Sequence, residues 1–375
     1  MSDTLAAAVP AVTPGAQLIV RHKAGLSIER TLGWRDPERR AHPVTAHTRF
    51  DLASLTKLYT VTALMRLVEA GQVTLETPAS AWVPTFSGPR PIQPYEDPLQ
   101  PDAWIEVDHG PEVDAGAITL HQLLTHTAGL PAWRPLFREP TTDAARRMAV
   151  ETFFSYRPGT RVVYSDIGLI VLGLALEALT GQTLDAAIRD LVLDPLDLHE
   201  TGFMPSDPDR PPAPSALVDI APTEWCAWRQ RRLIGEVHDE NAARLGGVSG
   251  HAGLFATARD VAAFGQSFLD ASLLQPETRD VMIREQARTN TVRRGLGFAL
   301  WSPDPEASSH PFGPRTFGHT GFTGTSLWID PDRSLVVALL TNDVYYGRDR
   351  RGIAPLRVRV HEQVCGTVNG GQRTG

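Results

Sequence analysis

The chain has 375 residues, 42% of them apolar, and a formal net charge of −7 at pH 7, enough to bury a sizeable core as one large domain or two ordinary ones. No basic block interrupts that charge, which argues against a nucleic-acid surface, and the longest apolar run, residues 167–176, is broken by Gly168 and Gly173 and is too short to cross a bilayer. Cys226 and Cys365 lie far apart and suggest no disulfide framework, and no basic stretch precedes the short apolar run near the start, so the expected location is the cytoplasm and the expected partner a small-molecule or peptide-like substrate, with no membrane or nucleic acid and the oligomeric state open.

In chain order, residues 17–22 alternate and end in the turn-like Lys23-Ala24-Gly25, and residues 26–30 alternate again, which predicts an antiparallel hairpin. The spacing of Leu58, Val61, Leu64 or Met65, and Val68 predicts a helix over 54–70, stopped by Gly71, with Ser54 in its first turn. From Pro84 to Ala117 the composition turns to Pro, Gly, Asp and Trp without a period, an irregular excursion that reads equally as a surface loop or a substrate-facing lid. Thr119 caps a short helix to Thr125, with a stop at Gly129, and a second, mostly apolar helix begins near Ser165 and ends at Thr180-Gly181. Residues 207–214 are proline-rich, a linker or chain crossing; 258–269 is an amphipathic helix. Two strands, 325–329 and 334–341, flank the turn Asp330-Pro331-Asp332-Arg333, and 355–364 suits a closing helix.

Of 36 basic residues only Lys23 and Lys57 are lysines. Arginine holds its proton near neutral pH whereas a suitably placed lysine releases it, so a lysine kept in such a chain is a candidate for proton transfer. Ser54 and Lys57 stand three apart, which on a helix puts them on one face about 5–6 Å apart at Cβ. A serine hydroxyl needs a base to become a nucleophile, and an amine whose charged form is disfavoured by burial or nearby cations can serve. Tyr164-Ser165-Asp166 sits at the mouth of an apolar helix, where Ser165 or Asp166 is either an ordinary N-cap or, with Tyr164, part of a site. His319-Thr320-Gly321 immediately precedes the C-terminal hairpin, on an expected edge strand, with Gly321 and Gly324 allowing close backbone approach. His238 and His251, thirteen apart, match no metal-ligand spacing, and His121 and His126 share no helix face, so no metal and no cofactor are expected.

Taken in order, Ser54-Leu55-Thr56-Lys57, Tyr164-Ser165-Asp166 and His319-Thr320-Gly321 resemble the motifs of the serine β-lactamase and penicillin-binding protein superfamily. Residues 123–131, Leu-Leu-Thr-His-Thr-Ala-Gly-Leu-Pro, are similar to a stretch of its class C and esterase branch, as are 235–242 and 250–255; the resemblance spans about 14–340. It implies Ser54 as the acylated nucleophile, Lys57 and Tyr164 as the proton-transfer pair, and the backbone N–H groups of Ser54 and Phe322 as an oxyanion hole, with Asp166, His319, Thr320 and Gly321 supporting or binding substrate. The implied fold is of the α/β class (α+β type): an antiparallel sheet flanked by helices plus a mostly helical lobe. That makes one unit over 1–375, with a sheet-containing lobe from 1–75 and 240–375 and a helical lobe from 76–239 that carries the 84–117 insertion. Strand signals at the chain ends and helix signals in the middle agree independently.

Two positions depart from the β-lactamase pattern. Asp166 stands where Asn is usual, which favours the ammonium form of Lys57 and shifts the base role toward Tyr164. His319 stands where Lys is usual, which replaces a permanent cation and weakens recognition of a substrate carboxylate. The expected activity is an esterase, D-amino-acid peptidase or muropeptide amidase working through an acyl-enzyme. The alternatives are a true β-lactamase and, from another class, a catalytically silent binding module for peptide or cell-wall fragments; a metallohydrolase comes third.

Overall fold

Leu18 and Val20 turn one way along the first long strand and Ile19 the other, yet all three are buried. Such a strand needs cover on both faces, and the computed structural model, which describes residues 2–22, 27–100, 102–107, 109–213, 219–289, 291–349 and 352–371, supplies it. Strands β1 (Gly15–His22), β2 (Ser27–Asp36) and β3 (Ala41–Pro43) from the N-terminal end join β4 (Ala287–Arg288), β5 (Arg293–Arg294), β6 (Ala299–Leu300), β7 (Phe317–Thr320), β8 (Ser326–Asp330) and β9 (Leu335–Thr341). Among the described residues they form one antiparallel nine-stranded sheet, in the order β4-β5-β6-β7-β8-β9-β1-β2-β3.

Helices lie on both faces. Leu18, Val20, Leu335, Val337 and Leu339 pack against the helix Ser2–Ala8 and the closing helix Ile353–Gly371. Ile19, Val336, Ala338, Leu340, Leu327 and Ile329 join the larger core, which continues through the helix Ala258–Asp270 into the helical part of the chain. At roughly 1.5–3 kcal/mol for each fully buried Val, Leu or Ile side chain, this two-faced burial holds the two chain ends in one sheet.

The helices nearest the cleft are α1 (Thr56–Glu69), α2 (Leu120–Leu124), α3 (Asp166–Thr180) and α4 (Glu240–Arg244). Thr119 caps α2 in a reciprocal capping box with Gln122. Ser165 caps α3 through the N–H of Gly168, and Gly181 ends α3 in the left-handed region. Residues 166–180 and 258–270 fall where the apolar spacing put them, and β8 and β9 form the expected hairpin. The turn at Lys23–Gly25 lies outside the described residues, as does the end of the proline-rich 207–214 segment. No single helix among the described residues is long and apolar enough to cross a membrane.

Three expectations need correction. Ser54 is not in an α-helical first turn but in a 3-10 turn, Ala53–Leu55, that leads into α1, because Ala53 takes a left-handed φ of 47° that no α-helix admits. The 84–117 excursion is not wholly irregular: Pro89–Arg90 pairs with Val113–Asp114 and Tyr95–Glu96 with Trp104–Ile105. Nor is β7 an edge strand, since it lies between β6 and β8. β6 is only two residues long, however, and pairs with Phe317 and Gly318 alone, so His319 and Thr320 have a ladder partner only on the β8 side.

Beyond β7 the chain presses against the backbone ahead of Ser54. A Cβ on Gly321 would overlap the carbonyl oxygen of Leu52 and the hydroxyl of Thr325, so glycine is required there by space. Gly321→Ala is expected to cost about 1–3 kcal/mol in urea unfolding through this overlap, with loss of Ser54 reactivity greater than the loss of fold.

Candidate active site

Ser54 is presented by a turn fixed from several directions. Asp51, buried at the end of a short strand, accepts the N–H of Ala53 through Oδ1 at 2.8 Å and the N–H of His238 through Oδ2 at 2.6 Å. Burial pushes the Asp51 carboxyl up, against the pull of those amides. From beyond β7, the hydroxyls of Thr323 and Thr325 donate to the carbonyls of Asp51 and Leu52 at 2.7 and 3.0 Å. The left-handed φ at Ala53 is backbone strain of the kind that such clamps sustain next to reactive groups.

Lys57, 1% exposed, follows on the first turn of α1. Its ammonium donates to Ser54 Oγ at 2.8 Å and to the carbonyl of His251 at 3.0 Å, and stands 2.8 Å from Asp166 Oδ1. Two hydrogen bonds and one close ion pair thus surround the ammonium. Burial by itself would lower the pKa of Lys57, but Asp166 and then Tyr164 outweigh it and hold it above the ordinary lysine value. The group is therefore a held cation and not a poised free amine. Ser165, by taking the cap of α3, leaves the Asp166 carboxylate free to face Lys57.

Tyr164 is surrounded by two cations and two imidazoles. Lys57 Nζ and the Arg294 guanidinium each lie 4.9 Å from its ring centre, with the rings of His126 and His319 at 4.8 and 5.6 Å. His319 Nε2 accepts from Arg294 at 3.3 Å and its Nδ1 donates to the carbonyl of Thr320 at 2.7 Å, a pairing that only the neutral ring allows. Burial first, then Arg294 and Lys57, push His319 well below its ordinary value. Arg294, on β5, has no carboxylate partner among the described residues, and its Nε is buried without a hydrogen bond. Burial lowers its pKa and Tyr164 opposes that.

Two cavities meet at Ser54, and Tyr164, Phe322 and Arg348 line both. One, of about 270 Å³, is walled by Arg294, His319, Thr320, Gly321 and Arg357. The other, of about 340 Å³, is walled by Trp133, Asp166, Asp239, His251 and, from the excursion, Pro98 and Leu99. The excursion thus supplies a cavity wall. Phe322 stacks on His238, whose Nε2 is 3.2 Å from Glu224, and Arg348 joins Glu224 to Glu240.

Ser54, Lys57, Tyr164, Asp166, His319, Thr320, Gly321 and Phe322 thus meet at one cleft. Sequence reasoning missed Arg294, since an arginine among 34 carries no signal. Beside His319, where the sequence offers no permanent cation, the structure places one from another strand, Arg294. Also missed was the chain Ser249 Oγ to His251 Nδ1 at 2.8 Å and His251 Nε2 to Asp239 at 3.0 Å. It has the composition of a Ser-His-Asp triad, but Ser249 is buried and absent from the wall of either cavity. Asp166, Asp239 and His251 offer donor atoms within 4.8 Å of one another; Lys57 already supplies a cation to Asp166, and Asp239 is bonded to His251.

A model of the beta-lactamase family matches residues 3–362. The chain is 32% identical over 362 residues to an N-acetylmuramyl-L-alanine amidase of Bacillus subtilis (strain 168), covering 88% of this chain and 77% of that protein. Among solved structures, EstCE1, a hydrolase with promiscuous acyltransferase activity, superposes with a TM-score of 0.70 at 23% identity over 93% of each chain. A penicillin-binding protein from Bacillus halodurans does so with a TM-score of 0.63 at 20% identity, over 88% of this chain and 92% of that one.

The pair beneath Phe322 gives a pH test. Burial alone would lower His238, but Glu224 raises it above 6.5, while hydrogen bonds from His238 and Arg348 overcome burial and hold Glu224 at about 2. A raised histidine stabilises below its unfolded value and ceases to as pH rises through its folded value; a depressed carboxylate stabilises above its unfolded value and ceases to as pH falls through its folded one. The melting-temperature gap between wild type and His238→Gln is accordingly expected to be widest at roughly pH 5–6, between the ordinary glutamate and histidine values, and to narrow as pH rises beyond the ordinary histidine range.

Proposed function

This chain belongs to the beta-lactamase family and is a serine hydrolase, and from that premise we propose that Ser54 is its nucleophile, forming an acyl-enzyme with an ester, amide or peptide that water then releases. The observation that carries this is the 2.8 Å contact of Lys57 Nζ with Ser54 Oγ in a cleft that Tyr164 also lines. Because Asp166 keeps Lys57 charged, the amine orients the hydroxyl and balances charge, while Tyr164 carries the proton from Ser54 to the leaving group and later from water back. Backbone N–H groups of Ser54 and Phe322 receive the developing oxyanion; losing one such donor costs about 3 kcal/mol of barrier lowering.

The cavity walled by Arg294 takes an anionic end of the substrate, and the wider one, with Trp133 and Leu99, takes the remaining part. A carboxylate meeting Arg294 gives that buried guanidinium the partner it lacks. Peptides ending in a free carboxylate, including those with D-amino acids, and muropeptide-type amides fit this charge pattern better than neutral esters. Division into a sheet-containing lobe from 1–75 and 240–375 and a helical lobe from 76–239 belongs to the same proposal, with Ser54 between them. So does a cytoplasmic location, which two free, buried cysteines suit.

Incubation with a fluorophosphonate followed by intact mass is expected to show one adduct, lost in Ser54→Ala; a protein that only binds gives none. In Lys57→Arg, which keeps charge but not the point-like ammonium, acylation is expected to fall about 10²-fold or more. Arg294→Ala is expected to raise KM about tenfold or more for carboxylate-ended peptides, through loss of a charge-assisted hydrogen bond, and to leave neutral short-chain esters nearly unchanged. A panel of such esters, penicillin-type lactams and muramyl peptides separates these readings from a true β-lactamase.

A further inference from the structure

His126 contacts the chain on both sides of Tyr164. Its carbonyl accepts the N–H of Val163 at 2.9 Å, and its ring Nδ1 accepts the N–H of Ser165 at 3.1 Å. Tyr164 stands between these two bonds, its ring 4.8 Å from the imidazole. The same loop fixes the next two side chains: Ser165 Oγ donates to the carbonyl of Pro131 at 2.7 Å, and the N–H of Asp166 donates to the carbonyl of Ala132 at 2.9 Å.

To do this, His126 departs from ordinary backbone geometry. Its φ is 58°, in the left-handed region that a β-carbon makes costly, and the residue is 3% exposed. Accepting a backbone N–H through Nδ1 requires a ring that is not doubly protonated and puts the remaining proton on Nε2. Burial first, and then the cations of Arg294 and Lys57, push the imidazole well below its ordinary value, so it stays in that form. Ring, carbonyl and backbone twist all act on residues 163–165.

We propose that His126 is a positioning residue for Tyr164, holding the phenol at Ser54 by bonding the amides on either side of it. The inference rests on the reading of Tyr164 as proton carrier. His126 itself lines neither cavity, reaching them only through Tyr164, and in this proposal exchanges no proton with substrate. Its part is geometric, and displacement of a catalytic group by about 1 Å costs on the order of 10²-fold in rate.

Three variants decide it, assayed by single-turnover acylation, by steady-state hydrolysis of a carboxylate-ended peptide and by melting temperature. His126→Ala removes the Nδ1 acceptor. His126→Asn restores an acceptor oxygen near the same place and tolerates the left-handed backbone. Tyr164→Phe tests the underlying reading. Expected are a fall in kcat and acylation rate of about 10²-fold in His126→Ala with KM nearly unchanged, recovery to within about tenfold of wild type in His126→Asn, and loss in Tyr164→Phe at least as large as in His126→Ala. Wild-type acylation in His126→Ala, beside a slow Tyr164→Phe, overturns the positioning role alone. Equal losses in the alanine and asparagine variants, with both melting at the wild-type temperature, also overturn it. Wild-type acylation in Tyr164→Phe overturns the reading beneath it. Should His126→Ala fail to fold, failure of His126→Asn to acylate while folded counts against the proposal.

Discussion

An ammonium buried at 1% exposure needs a counter-charge and hydrogen-bond acceptors, and Lys57 finds them on separate stretches of chain. Ser54 comes from the turn before α1, Asp166 from the start of α3, and the His251 carbonyl from the segment that follows α4. Removing one member of such a buried pair generally costs about 3–5 kcal/mol, because the other charge is left uncompensated. The contact therefore ties three stretches of chain to one point. In the proposed reaction it also assigns the roles: a lysine held charged by a carboxylate orients and neutralises, and another group carries the proton.

The surrounding structure supplies the rest by restricting motion. Asp51, Thr323 and Thr325 fix the carbonyls and amides on the approach to Ser54, and Gly321 lets the end of β7 lie against Leu52. These bonds link the turn that carries Ser54 to a sheet that is buried on both faces. Left-handed backbone at Ala53 and at His126 is sustained in each case by local bonds, to Asp51 in the first and to Val163 and Ser165 in the second.

How far this was legible in the sequence depended on the range of the interaction. Local signals were reliable: Thr119 with Gln122, Ser165 with Gly168 and Gly181 at the end of α3 are caps readable within a few residues. The meeting of Ser54 and Lys57 follows from helical spacing, and the scarcity of lysine marked it out. Pairing across the sheet is less legible: the sequence before β7 predicts an edge because the two-residue β6 gives almost no pattern. Arg294 and His126 were invisible as functional groups for a different reason. Their roles depend on which distant ring they meet, and 34 arginines or one histidine in a capped loop carry no such information.

The family fixes the kind of chemistry, and the two departures from its motifs shape the way this chain performs it. Asp166 favours the charged form of Lys57, and in the proposed reading the neutral His319 leaves recognition of an anionic substrate end to Arg294 beside it. The most direct test of this arrangement uses the fact that the chain has only two lysines. With lysine labelled in its ε-amino nitrogen, NMR gives two side-chain signals, assigned by Lys57→Arg. The account predicts that Lys57 stays charged past the ordinary lysine value of about 10.4; a Lys57 signal that titrates near neutral pH would contradict it.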